Sequence, residues 1–164
     1  MGMESFFVEI SIDNNDTKDI KSFNVSLVEY LNSLNGMSIK ITGRMALIND
    51  IVEMETEAKQ GFYRLVLIGC FSCFTSACLL MHDLTNILGE RYNVLSIKVM
   101  GEEIDLSKAN LIDAICEGYS DIHQRFLTYL TNETFDASPS TFYKRLRYRR
   151  SCIGRFMRWL RLAR

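Results

Sequence analysis

Hydrophobic and polar positions alternate strictly from Phe6 to Ile12. Phe6, Val8, Ile10 and Ile12 fall on one side, Phe7, Glu9 and Ser11 on the other. A period of two predicts a half-buried strand. Asp13-Asn14-Asn15-Asp16 is turn chemistry. The period then changes. Ile20, Phe23, Leu27, Leu31 and Leu34 recur at three to four, predicting an amphipathic helix that ends near Asn35-Gly36. Met37, Ile39 and Ile41 then alternate with Ser38, Lys40 and Thr42, predicting a second strand.

Residues 45–57 fit two patterns. Leu47, Ile48, Ile51, Val52 and Met54 suit a helix, with Asp50, Glu53, Glu55 and Glu57 crowding the other side; a strand with a long acidic turn is the competing arrangement. Gln60-Gly61 breaks the segment before an apolar strand over 62–70. Thr75 or Ser76 can cap a helix running through Leu88 to Gly89, and 92–100 alternates as a fourth strand. Asp105 or Ser107 opens a helix through Cys116 that stops at Gly118, and Ser120 opens another through Leu130. The first and fourth strands are each followed by a polar turn and a helix, which fits a repeated strand–helix unit but more simply the ordinary outcome of α+β alternation. The expected fold is therefore α+β: a mostly antiparallel four- to five-stranded sheet with helices on one face, plus a basic C-terminal helix.

Three regions follow: a compact body over 1–131, a polar linker over 132–141 holding the single proline, and a tail over 142–164. Ser138-Pro139 places a cap residue before Pro at a first helical position. Phe142, Leu146, Ile153, Met157 and Leu160 lie roughly along one stripe, and Gly154 weakens the helix in the middle.

Charge changes the picture more than composition does. The chain is 48% hydrophobic, enough for a core, and its net charge of −1 conceals two opposed halves. Residues 1–141 carry a net −10, and 142–164 carry nine Arg or Lys and no acid. A concentrated positive block seeks a polyanion: nucleic acid, an anionic membrane face or an acidic protein surface. Lys144, Arg145, Arg147, Arg149, Arg150, Arg155, Arg158 and Arg161 are the candidate polyanion-binding residues. Phe156, Trp159 and Leu160 are the candidate membrane anchors. Arginines interleaved with aromatics also suit phosphate contact with base stacking. The same tail can pack on the acidic body, or on the body of a neighbouring molecule.

Catalytic chemistry finds little support. His82 and His123 sit in no nucleophile or metal motif, no Gly-rich phosphate loop is present, and the acid clusters 53–57 and 102–105 suit solvated faces and turns. No catalytic residue and no cofactor are expected. Cys70-x2-Cys73-x4-Cys78-x3-His82 approaches zinc-knuckle spacing. Against zinc, these residues lie in the most apolar stretch and no basic residue lies between them, so core thiols are the competing reading. Five Cys without a signal-peptide pattern favour a reducing compartment. Phe6 disagrees with a myristoylation pattern, and Cys152 is a palmitoylation candidate. Residues 65–81 (LVLIGCFSCFTSACLLM) lack charge over the minimum length of a membrane span; a buried strand turning into a buried helix is the alternative.

The body resembles the matrix proteins of rhabdoviruses, above all the short, compact ones of plant cytorhabdoviruses. The segments that carry the resemblance are FFVEISI, GFYRLVLIG and YNVLSIKVMGEEIDLSKANLIDAI, within a region from Phe6 to about Leu130. It implies a non-enzymatic viral structural protein that self-associates, condenses the nucleocapsid and binds the inner face of a membrane. Host cytoplasm and virion would be its locations. The chain departs from the animal-virus members in having no long basic N-terminal arm and no proline-rich budding motif, with its basic element at the C-terminus instead. Two further classes stay open: an RNA-binding module, such as a viral silencing suppressor using the arginine-rich tail, and a small membrane-embedded protein spanning at 65–81.

Overall fold

The computed structural model describes residues 5–14, 19–43, 45–70, 73–107 and 109–119. The helix expected over 120–130, the linker 132–141 and the whole tail 142–164 lie outside the described residues.

The order of elements is β1 (Ser5–Asp13), α1 (Ile20–Ser33), β2 (Ile39–Thr42), β3 (Met45–Ile48), β4 (Val52–Lys59), β5 (Phe62–Cys70), α2 (Phe74–Arg91), β6 (Val94–Val99) and β7 (Glu102–Ile104). A third helix, α3, covers 111–119. The strands form one antiparallel sheet in the order β2-β3-β4-β5-β1-β6-β7. The class is α+β as expected, but among the described residues the sheet has seven strands rather than four or five.

The extra strands come from 45–59 and 102–104. Residues 45–57 are no helix, because Asn49 and Asp50 adopt left-handed φ values of 51° and 54° and turn the chain back. Asn49 is fixed there by long-range bonds: Ser38 N–H donates to its Oδ1 at 2.7 Å, and its Nδ2 donates to the Gly36 carbonyl at 3.0 Å. β7 follows a two-residue turn at Met100 and Gly101, with φ of 54° and 95°. β6 carries a bulge where its pairing with β1 shifts between Ser11 and Ile12. The bulge leaves Leu95 53% exposed, off the regular alternation expected over 92–100.

The helices also end differently from expectation. Asp19 caps α1, accepting from Lys21 N–H and from the Ser22 hydroxyl. α2 runs through Gly89 to Arg91, and the extended Tyr92 ends it. A mid-helix glycine costs about 1 kcal/mol, which the buried stripe Ala77, Cys78, Met81, Leu84 and Leu88 outweighs. Asn110, not Asp105 or Ser107, opens α3, accepting from Ile112 N–H at 2.9 Å. Gly118 lies inside that helix.

The described helices pack on one face of the sheet. Phe6, Val8, Ile10 and Ile12 of β1 and Leu65 and Leu67 of β5 join Phe23, Leu27 and Leu31 of α1 and the α2 stripe in one buried cluster. Phe6 is fully buried, edge-on to Phe74 and Tyr119 at 5.0 and 5.5 Å. Burying one such side chain contributes about 1.5–3 kcal/mol. Gly69 permits the close approach of α2 to β5. A Cβ there would lie 2.7 Å from the Phe6 ring and 3.0 Å from Ala77 Cβ. Arg91, at the end of α2, stacks its guanidinium 4.1 Å from the Tyr30 ring and ties α2 to α1.

Within 65–81, residues 65–70 belong to β5 and 74–81 to α2, so the described part of the uncharged stretch is a strand followed by a helix. Among the described residues no helix is long and apolar enough to cross a membrane.

Candidate interaction surface

Strand alternation gives the sheet a second face, opposite the helices. Cross-strand pairing places Phe7, Glu9 and Ser11 of β1 beside Ile68, Val66 and Arg64 of β5. The same β5 residues face Glu53, Glu55 and Glu57 of β4 on the other side. Leu47 and Met45 of β3 lie next to Glu53 and Glu55. Lys98 of β6 stands beside Glu9. Every described helix lies on the other face, so this one is open with respect to the described elements.

The open face has an apolar centre and an acidic surround. Val66 and Ile68 are only 8% and 9% exposed, yet they lie outside the helix-side cluster. They sit on a central strand, with β1 and β4 residues paired on either side of them. Glu53, Glu55 and Glu57 are exposed.

Arg64 organises one end of this surface. Its Nε–H donates to Glu9 Oε2 at 2.8 Å, and its Nη1 reaches Glu57 Oε2 at 3.5 Å. The bond from Arg64 holds the Glu9 carboxyl below its ordinary pKa; partial burial opposes this, and the charges of Arg64 and Lys98 add to it. Glu57 is lowered chiefly by the bond from Lys59 at 2.6 Å, with Arg64 assisting. Arg64 is correspondingly raised, first by its bond to Glu9. Glu53 and Glu55 have no ion-pair partner among the described residues. They are two open carboxylates between apolar neighbours. This arrangement accepts cationic side chains carried on an apolar backing, in the manner of a protein interface with a charged rim.

A separate cleft of about 520 Å³ lies between α1 and the β2–β4 hairpins, with Ile20, Leu27, Val28, Ile41 and Met54 among its walls. Asn24 also borders it, and its Oδ1 is buried with no hydrogen-bond partner among the described residues. A depression of about 330 Å³ between α2 and the 106–111 turn holds His82 and Asn86.

The candidate zinc residues do not come together. Cys70 and Cys73 are in contact, with Sγ atoms 3.3 Å apart. Cys78 is buried on the core side of α2, and burial pushes its thiol pKa far up, with nearby Cys116 and Cys73 adding to the shift. His82 lies instead beside Asp83 and Asn86 on α2. No group of three or more metal-ligating side chains occurs among the described residues. The expectation of core thiols holds for Cys78 and Cys116 but fails for Cys70, which is exposed at the end of β5.

All the polyanion-binding candidates, from Lys144 to Arg161, and the anchors Phe156, Trp159 and Leu160 lie outside the described residues, as does Cys152. The surface built by Glu9, Glu53, Glu55, Arg64 and their apolar neighbours was not among the sequence candidates. Its signal was the spacing of acids at 53, 55 and 57, a period of two that marks one face of a strand. The acidity of the body is present in the described part, which carries 15 acidic against six basic side chains.

The chain matches no protein-family model, no curated protein and no solved structure.

Proposed function

We propose that the protein is a non-enzymatic structural protein of viral, matrix-like type, which self-associates and bridges a nucleocapsid and an anionic membrane. One observation supports this above the others. The open sheet face offers the carboxylates of Glu53 and Glu55 around an apolar centre, while residues 142–164 hold nine basic side chains and no acid. Basic and apolar residues of the tail complement that face in charge and in apolar content. The resemblance of the body to rhabdovirus matrix proteins points the same way.

In this reading the tail of one molecule meets the open face of the next. Arg145, Arg149 and Arg150 approach the glutamates, and Phe156, Trp159 and Leu160 supply apolar contact. Each exposed ion pair contributes at most about 1 kcal/mol, so the contact is weak singly and depends on many pairs acting together. Weak, salt-sensitive contacts suit a layer that assembles and releases. Tails not engaged by a neighbour bind lipid headgroups or nucleocapsid phosphates by the same charges.

The test pairs flotation on anionic vesicles with RNA binding and sizing of oligomers. It compares the full chain, 1–141, and a full-length variant with Arg149→Gln, Arg150→Gln and Arg158→Gln. Loss of flotation and of the larger oligomers in both altered proteins is the expected result. RNA binding with a steep salt dependence but without flotation would favour the RNA-binding module instead. Unchanged binding and unchanged oligomer size in both would remove the basis of the proposal.

A further inference from the structure

Cys70 closes β5 and Cys73 is the N-cap of α2, so the two thiols sit where the chain leaves the sheet and enters the helix. Their Sγ atoms are 3.3 Å apart, within van der Waals contact. A disulfide needs them at about 2.05 Å, a short movement for two side chains already in contact. Cys70 is exposed and Cys73 half-buried. The Cys73 Sγ points back toward the carbonyls of Cys70 and Ile51, at 3.6 and 3.9 Å. Cys73 makes no side-chain capping bond, so oxidation sacrifices no cap. The other two described thiols, Cys78 and Cys116, are sealed in the core.

We propose that Cys70 and Cys73 form a thiol–disulfide exchange site for a low-molecular-weight disulfide of the glutathione class. Cys70 is the thiol that a soluble oxidant can reach. As a thiolate it attacks one sulfur of the oxidant, breaks that S–S bond and releases one glutathione thiolate. The product is a mixed disulfide on Cys70. Cys73 then gives up its proton to water and attacks the Cys70 sulfur, releasing the second glutathione. Two protein thiols lose two electrons and two protons, and the oxidant is reduced to two thiols. The product staples the last residue of β5 to the first turn of α2. It also replaces a reactive thiol at the end of the Val66–Ile68 column, on the open face of the sheet. The exchange chemistry itself does not rest on the tail or on the proposed assembly role.

The experiment uses the full-length reduced protein, incubated with a glutathione–glutathione disulfide series, quenched in acid and labelled with N-ethylmaleimide under denaturing conditions. Trypsin releases residues 65–91, which contain Cys70, Cys73 and Cys78. The expected product carries one label, on Cys78, and an internal link that fragmentation assigns to Cys70 and Cys73. Link formation in the folded protein should be about tenfold faster than in the same protein unfolded in urea, because the fold holds the resolving thiol in place. Cys73→Ser should accumulate the glutathione adduct on Cys70, and Cys70→Ser should slow oxidation at Cys73 by about tenfold through lost access. The proposal is overturned if the peptide keeps three labels, or if the link joins two molecules. It is also overturned if folded and unfolded chains oxidise at the same rate.

Discussion

The two faces of the sheet are built from the same strands, one residue apart, and behave as different materials. On the helix side, Phe6, Val8, Ile10, Leu65 and Leu67 are sealed under α1, α2 and α3, and shape is what matters. On the other side, Phe7, Glu9, Val66, Ile68, Glu53 and Glu55 form a surface where an apolar centre is ringed by charge. The first face holds the body together. The second tolerates charge because water and arginine can reach it. A single-residue slip in register would exchange the two sets, which makes the alternation itself the strongest specification in the chain.

Substitutions that respect this division should produce effects of different size and kind. Phe6→Ala, on the covered face, removes a fully buried ring among Phe74 and Tyr119 and should cost about 3–5 kcal/mol, read by urea unfolding. A loss under 1 kcal/mol would mean the helix face is not the core. Gly69→Ala overfills the same face against Phe6, Ala77 and Met81 and should cost about 1–3 kcal/mol. Pairing it with Phe6→Leu should recover part of that cost, since the two sites share the contact.

Effects on the open face should be smaller and should depend on pH or on partners. Glu9 has its pKa lowered by Arg64, so the pair stabilises the fold above the unfolded-state pKa of Glu9 and the contribution disappears as pH falls through the folded value. Arg64→Met should therefore cost up to about 1 kcal/mol at neutral pH, given the partial exposure of both groups. Wild type and variant should converge at acidic pH, once the pH is below the lowered folded-state pKa of Glu9. A gap that persists unchanged at low pH would assign the effect to packing of the Arg64 stem instead. Smallest of all, Glu53→Gln with Glu55→Gln should leave unfolding within about 0.5 kcal/mol of wild type, yet weaken self-association measured by sedimentation. Unchanged association would detach the open face from assembly.

Much of this division was legible in the sequence, and the failures have physical causes. β1, α1 and β2 announce themselves by uninterrupted periods of two or of three to four, and β5 by a short continuous apolar run. The region 45–59 misleads because its apolar residues fit a helical stripe. What decides against a helix is Asn49, held in a left-handed turn by bonds to Gly36 and Ser38 from a distant part of the chain. Gly89 reads as a helix stop, but the α2 stripe continues to bury Leu88 and the helix passes through it. The zinc spacing treats four residues as equivalent when the strand-to-helix junction separates them. Cys70 and Cys73 meet at the surface, and Cys78 turns inward. The basic residues Lys144 to Arg161 lie outside the described residues, whereas Glu53 and Glu55 belong to the described surface.

The position of β1 bears on how the chain reaches this state. β2, β3, β4 and β5 pair with their neighbours in sequence, so this meander closes with short loops. β1 is different: it is sandwiched between β5 and β6, pairing Val8 with both Leu67 and Val99. β1, made before the other described strands, is thus among the last of them to find both its partners, and closing those loops slows folding. Until residue 99 has been made, β1 has an unpaired side and the meander has at most one companion. That interval is when a growing chain is most open to pairing with a second nascent copy, through strand edges that the finished sheet no longer offers.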